Sequence, residues 1–128
     1  MMPPMTSLWL VALGGALGAV ARAVLSTTIA ARWPGPLPMG TIVVNVSGCL
    51  VLGLLTGYVA SRPHLAPALR TFGAVGVLGA FTTFSTFENE TLALLQAGQL
   101  PAALTNVALS LAAGLAAVWA GQAVGRAM

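Results

Sequence analysis

The sequence predicts an all-α membrane protein: four transmembrane helices, the third of them a candidate for a broken helix, assembling as an antiparallel, dual-topology homodimer. Three observations carry this expectation. The 128 residues are 58% hydrophobic and only 5% charged, whereas soluble domains carry roughly 25% charged residues. The apolar residues fall into four long stretches separated by proline-rich or polar breaks. The arginines divide almost evenly between the two faces that such a chain would present. A mean hydropathy of +0.94 agrees with residence in a lipid bilayer. An ordinary soluble enzyme, a nucleic-acid binder and a disordered tail are excluded. The pI of about 10.6 comes from sparse arginines set against two glutamates, with no lysine or aspartate, and not from a clustered basic face.

The expected domain is single, 1–128, with helices at approximately 8–29, 39–60, 65–95 and 101–124. A span needs about 20 apolar residues, so the length admits at most four. The first stretch, Leu8 to Ile29, is interrupted only by Arg22. It has the apolar core of a signal peptide, but no basic residue precedes it and three further spans follow. The linker Arg32-Trp33-Pro34-Gly35-Pro36-Leu37-Pro38 cannot continue a helix. The second stretch, Met39 to Ala60, ends at Ser61-Arg62-Pro63-His64.

The third stretch, Leu65 to Leu95, exceeds what one span requires. Its glycines Gly73, Gly76 and Gly79 recur every three residues, and the run Thr82-Thr83-Phe84-Ser85-Thr86-Phe87 follows. Glycine weakens a helix, and Thr and Ser compete for its backbone. A break around Gly79 to Thr83 and a continuous helix whose glycines allow close packing are both compatible with this composition. Gln96-Ala97-Gly98-Gln99 makes the last turn, and Pro101 suits the opening of the fourth helix.

With the N-terminus on one side, Arg62, Arg70 and Arg126 share that side, and Arg22 and Arg32 lie opposite. So even a balance predicts insertion in both orientations. Two inverted copies can then pair about an axis in the membrane plane, which four thin helices need if they are to enclose a polar pathway. Gly14 and Gly18, Gly53 and Gly57, and Gly121 and Gly125 are spaced for close helix packing. The lone cysteine, Cys49, lies in an apolar run and reads as a small buried hydrophobe.

Uncharged polar residues in hydrocarbon need a reason. Thr41 and Asn45 lie one turn apart in the second helix, Asn106 and Ser110 repeat the arrangement in the fourth, and Thr82, Thr83, Ser85 and Thr86 supply hydroxyls in the third. Each alone reads as interhelical glue. As three coordinated faces they read as a lane of neutral donors, which solvates an anion without trapping it. Phe81, Phe84 and Phe87 recur among these hydroxyls, and phenyl rings carry a positive edge. Arg22 is expected near the end of the first helix, as a snorkelled anchor or at the mouth of an anion route. Glu88 and Glu90 fall late in the third stretch.

Three segments, Gly15-Ala16-Leu17-Gly18-Ala19-Val20-Ala21-Arg22, Gly40-Thr41-Ile42-Val43-Val44-Asn45-Val46-Ser47-Gly48 and Gly79-Ala80-Phe81-Thr82-Thr83-Phe84-Ser85-Thr86-Phe87, resemble the CrcB/Fluc fluoride channel family in order and spacing. The resemblance implies a passive channel, not an enzyme, that exports fluoride across the prokaryotic plasma membrane as a multi-pass protein. It implies a dual-topology homodimer with two antiparallel fluoride pathways, a broken third helix, and a central structural sodium ion held by backbone carbonyls at that break in both subunits, here those of Gly79 and Thr82. Phe84 and Phe87 would be the pore phenylalanines, Asn45 the second-helix donor, and Ser110 and Asn106 the fourth-helix track. Ser85 and Thr86 resemble the hydroxyls beside the phenylalanines, Thr41 belongs to the second-helix donor motif, Arg22 matches a vestibule arginine, and Glu90 matches a family glutamate. Ala23 and Gly114 depart from the pattern, where an aromatic and a serine are common. The alternative, a small proton-coupled multidrug exporter of dual topology, needs a titratable carboxylate deep in a span, typically the first, and the first stretch contains no acid.

Overall fold

A computed structural model describes residues 5–128 of the chain; the first four residues of the expected 1–128 domain lie outside the described residues. The described residues are helical almost throughout. Helix α1 spans Met5–Arg32, α2 Met39–Ala60 and α6 Leu100–Ala127, and between α2 and α6 lie a short turn α3 (Ala66–Ala68), a π-helical segment (Leu69–Leu78), a single turn α4 (Gly79–Phe81) and α5 (Phe84–Gln96). Among the described residues three helices are long and apolar enough to cross a membrane: Ser7–Arg32, Met39–Ala60 and Leu100–Ala127.

The proline linker sets the start of α2 where the sequence predicts it. Helices α1 and α6 run past the expected ends, because hydropathy marks only the length that matches hydrocarbon and the backbone stays helical beyond it. Arg22 is therefore not near the end of its helix, as the sequence suggested. Ten residues separate it from Arg32, about 15 Å of helix. Between α5 and α6 the chain closes in a Schellman turn: Gly98 takes φ +71°, its N–H donates to Leu95 C=O at 3.0 Å, and the Gln99 N–H donates to Leu94 C=O at 2.8 Å.

Glycine seams hold the helices together. A Cβ at Gly53 or Gly57 would meet the Val118 or Gln122 carbonyl of α6, and one at Gly121 or Gly125 would meet the Leu50 or Leu54 carbonyl of α2. Backbone thus rests on backbone on both sides of the α2–α6 seam, the arrangement that small residues spaced by four allow in lipid. Gly14 and Gly18 do the same for α1, against the Phe72 and Val77 carbonyls of the π segment. That segment closes with the Gly79 N–H donating to Ala74 C=O, five residues back. π-Helical backbone is rare and recurs at functional sites.

Large apolar side chains face outward, as suits lipid. On α1, Leu13, Leu17, Val20 and Val24 form an exposed stripe, and Trp9, Trp33 and Trp119 are also exposed. The protein-facing positions include Val44, Leu78, Phe87 and Ala103.

Candidate functional site

The helical path stops at Thr82 and Thr83. Thr82 has φ −80°, ψ 153°, and Thr83 has φ −146°, ψ 109°, so both are extended between α4 and α5. Helix α5 restarts with Thr83 as its N-cap, whose hydroxyl oxygen accepts from the Thr86 N–H at 3.3 Å. The Thr83 hydroxyl also bonds that of Thr86 at 2.9 Å.

Helix α2 seats this interruption. The Asn45 carboxamide meets Thr83 twice: Oδ1 accepts from the Thr83 N–H at 2.8 Å, and Nδ2 donates to its C=O at 3.1 Å. One turn on, a Cβ at Gly48 would meet Thr82 Cγ2 and, at 3.2 Å, the Phe81 ring. Glycine at this position is what lets α4 press against α2.

Beside the interruption is a cavity of about 360 Å³ that brings together Asn45, Phe84, Phe87 and Ser110 with Gly79, Thr82 and Thr83; Gly48, Cys49, Leu52, Ala74, Leu78 and Leu111 complete its wall. The rings of Phe84 and Phe87 lie 5.9 Å apart between centroids and are inclined at 39°. Phe87 is buried, but Phe84 is 73% exposed, so the cavity has an open side formed by an aromatic ring.

A second, smaller recess of about 170 Å³ lies among Arg22, Ala23, Ser26, Thr41, Val44, Thr83 and Thr86. Thr83 borders both spaces. Arg22 and Thr41 thus belong to the recess, with Thr86, and not to the larger cavity. Ser85 borders neither of the two and is exposed on α5.

Asn106 is fully buried in the α5–α6 seam. Its Nδ2 donates to the Thr91 hydroxyl at 2.9 Å, which donates to the Phe87 C=O at 2.7 Å. Ser110 reaches back to Asn106 Oδ1 at 3.4 Å. Ser110 therefore links the cavity to a buried polar chain that ends beneath Phe87. The Thr41 hydroxyl donates to Glu90 Oε1 at 2.9 Å, while Oε2 is buried without a hydrogen-bond partner. Thr91 and the Thr41–Glu90 pair were not expected from the sequence. The one available signal was Thr91 standing one turn after Phe87 on the face that looks at α6.

Comparison with known proteins adds four findings. Residues 9–122 match the family described as "CrcB-like protein, Camphor Resistance (CrcB)". The chain is 50% identical over 112 residues to "Fluoride-specific ion channel FluC 2" of Symbiobacterium thermophilum, covering 88% of this chain and 91% of the relative. It is 43% identical over 116 residues to "Fluoride-specific ion channel FluC" of Stutzerimonas stutzeri, covering 91% and 94%. It is 46% identical over 121 residues to the protein of that name from Acidobacterium capsulatum, covering 94% and 96%.

Proposed function

The chain belongs to the CrcB-like family, and from that membership we propose that it is a fluoride-selective channel carrying the anion passively out of the cell. It is a multi-pass protein of the cell membrane and not an enzyme. Its relatives are named fluoride-specific ion channels. The observation that carries the reading is the single cavity in which the Asn45 carboxamide, the Ser110 hydroxyl and the Phe84 and Phe87 rings meet.

In our reading the stretch 65–95 crosses the membrane as a third, broken span, which makes four. Two copies in opposite orientations form the channel. Support comes from Phe84, which leaves one side of the cavity open, and from Gly79, which is exposed in the single chain. A second copy closes both and gives two antiparallel pathways, one per chain.

Fluoride is small and strongly hydrated, so the pathway must replace its water with donors weak enough to release it. Asn45 has two N–H groups on Nδ2, of which Thr83 takes one, leaving the other for an anion. The Ser110 hydroxyl, held only at 3.4 Å by Asn106, is free to turn. The ring edges of Phe84 and Phe87 supply positive potential where no hydroxyl can reach. Arg22, Thr41 and Thr86 gather the ion at the smaller recess, Ser85 adds a hydroxyl on the exposed face, and Asn106 anchors the inner end of the track.

A central sodium ion fits the donors at the interruption. Among the described residues no three His, Cys, Asp or Glu side chains cluster, whereas unwound backbone offers carbonyl oxygens, which suit a hard alkali cation. Gly79 and Thr82 would supply them, with the second copy completing the set, and the bound ion would tie the two chains together by its charge. The proton-coupled exporter finds no support in α1, which carries no acidic residue.

The test is fluoride efflux from liposomes holding the purified protein, read with a fluoride electrode. A fast flux indifferent to chloride is expected. No fluoride flux, or proton-driven efflux of organic cations, overturns the reading.

A further inference from the structure

An α-helix carried straight through residues 79–86 would give the Thr83 N–H to the Gly79 carbonyl and the Thr86 N–H to the Thr82 carbonyl. Here side chains take both donors. The Thr83 N–H goes to Asn45 Oδ1 at 2.8 Å, and the Thr86 N–H goes to Thr83 Oγ1 at 3.3 Å. We infer that Asn45 and the Thr83 hydroxyl are positioning residues for a backbone cation site: by diverting these two N–H groups they release the Gly79 and Thr82 carbonyls to face the ion. This role presupposes the sodium site proposed above.

The chemistry of Asn45 suits the task. Thr83 is extended, so its N–H and C=O point to the same side, and a carboxamide matches that pair with one acceptor and one donor. Thr83 is buried, where an N–H left alone would be costly. Without Asn45, the nearest acceptor by helix geometry is the Gly79 carbonyl, and taking it would remove an oxygen from the ion. Gly48 makes the grip possible by leaving room for Thr82 one turn away. Asn45 thereby joins two functions: one face of its amide builds the cation site, and the remaining N–H serves the pathway.

Sodium binding separates this role from conduction. The full-length chain, purified in a sodium-free buffer, is titrated with sodium, and binding is read by calorimetry and by amide hydrogen exchange over residues 79–86. Asn45→Ala should weaken sodium binding at least about tenfold and speed exchange at Thr83. Thr83→Val should weaken it similarly, and Thr83→Ser, which keeps the hydroxyl, should restore it. Gly15→Ala meets nothing within 4 Å, touches neither diverted N–H, and should leave sodium affinity within about twofold.

If the wild type binds sodium and the Asn45→Ala and Thr83→Val variants bind it equally well, the positioning role is overturned. If the wild type binds no sodium, the sodium site itself falls, and this role with it.

Discussion

Asn106, wholly out of contact with solvent, donates a 2.9 Å hydrogen bond to the hydroxyl of Thr91. That bond crosses from α6 to α5 and, through the Thr91 hydroxyl, reaches the Phe87 carbonyl. The seam between the two helices is therefore polar at its centre, and Phe87 is fixed from below.

Asn106→Leu keeps the volume of the side chain and removes both of its bonds. The folded state should lose about 1–3 kcal/mol, the cost of stranding the groups left behind. Chemical unfolding in detergent micelles measures it. A change below a few tenths of a kcal/mol would show that the buried chain contributes nothing.

Phe84→Ile and Phe87→Ile should part company. Phe84 lies open in the single chain and Phe87 is packed. Both should slow fluoride efflux from liposomes by tenfold or more, but only Phe87→Ile should also lower the stability of the folded chain, by about 1–2 kcal/mol. Undiminished flux in both would remove the ring edges from the pathway.

Gly53→Val drives a branched side chain onto the Val118 carbonyl. It should cost at least about 1–3 kcal/mol, because a backbone on a glycine seam cannot step aside. Gly15→Ala is the counterpart, since nothing lies within 4 Å of an added Cβ there; it should be neutral or stabilising by up to about 1 kcal/mol. Size-exclusion profiles and melting temperatures distinguish the two.

Thr41→Val withdraws the hydroxyl from Glu90 Oε1 and leaves the carboxyl with no partner on either oxygen. A loss of about 1–3 kcal/mol is expected. In a double-mutant cycle with Glu90→Leu the two losses should fail to add by 0.5 kcal/mol or more. Strict additivity would mean that the pair is not coupled.

Much of this was legible in the chain itself. Prolines at 34, 36 and 38 fixed the start of α2, and glycines spaced by four marked the seams that join α2 to α6 and α1 to the π segment. The glycine pattern from Gly73 to Gly79 could not reveal π geometry, because glycine relaxes α and π backbone alike. Nor could local pattern show what becomes of polar atoms whose partners are distant in sequence. Asn45 and Thr83 stand 38 residues apart, and Thr41 and Glu90 stand 49 apart. Spacing announced that Asn45 and Thr41 need company, and only the packing of α2 against α4 and α5 says whose.

The position of Arg22 along α1 has an electrical consequence. It is the one charged side chain among those lining the smaller recess, about 15 Å of helix from Arg32. A guanidinium carried that far along an apolar helix holds water or counter-charge about itself, so the recess bears a positive potential of which Arg22 is the sole source among its walls.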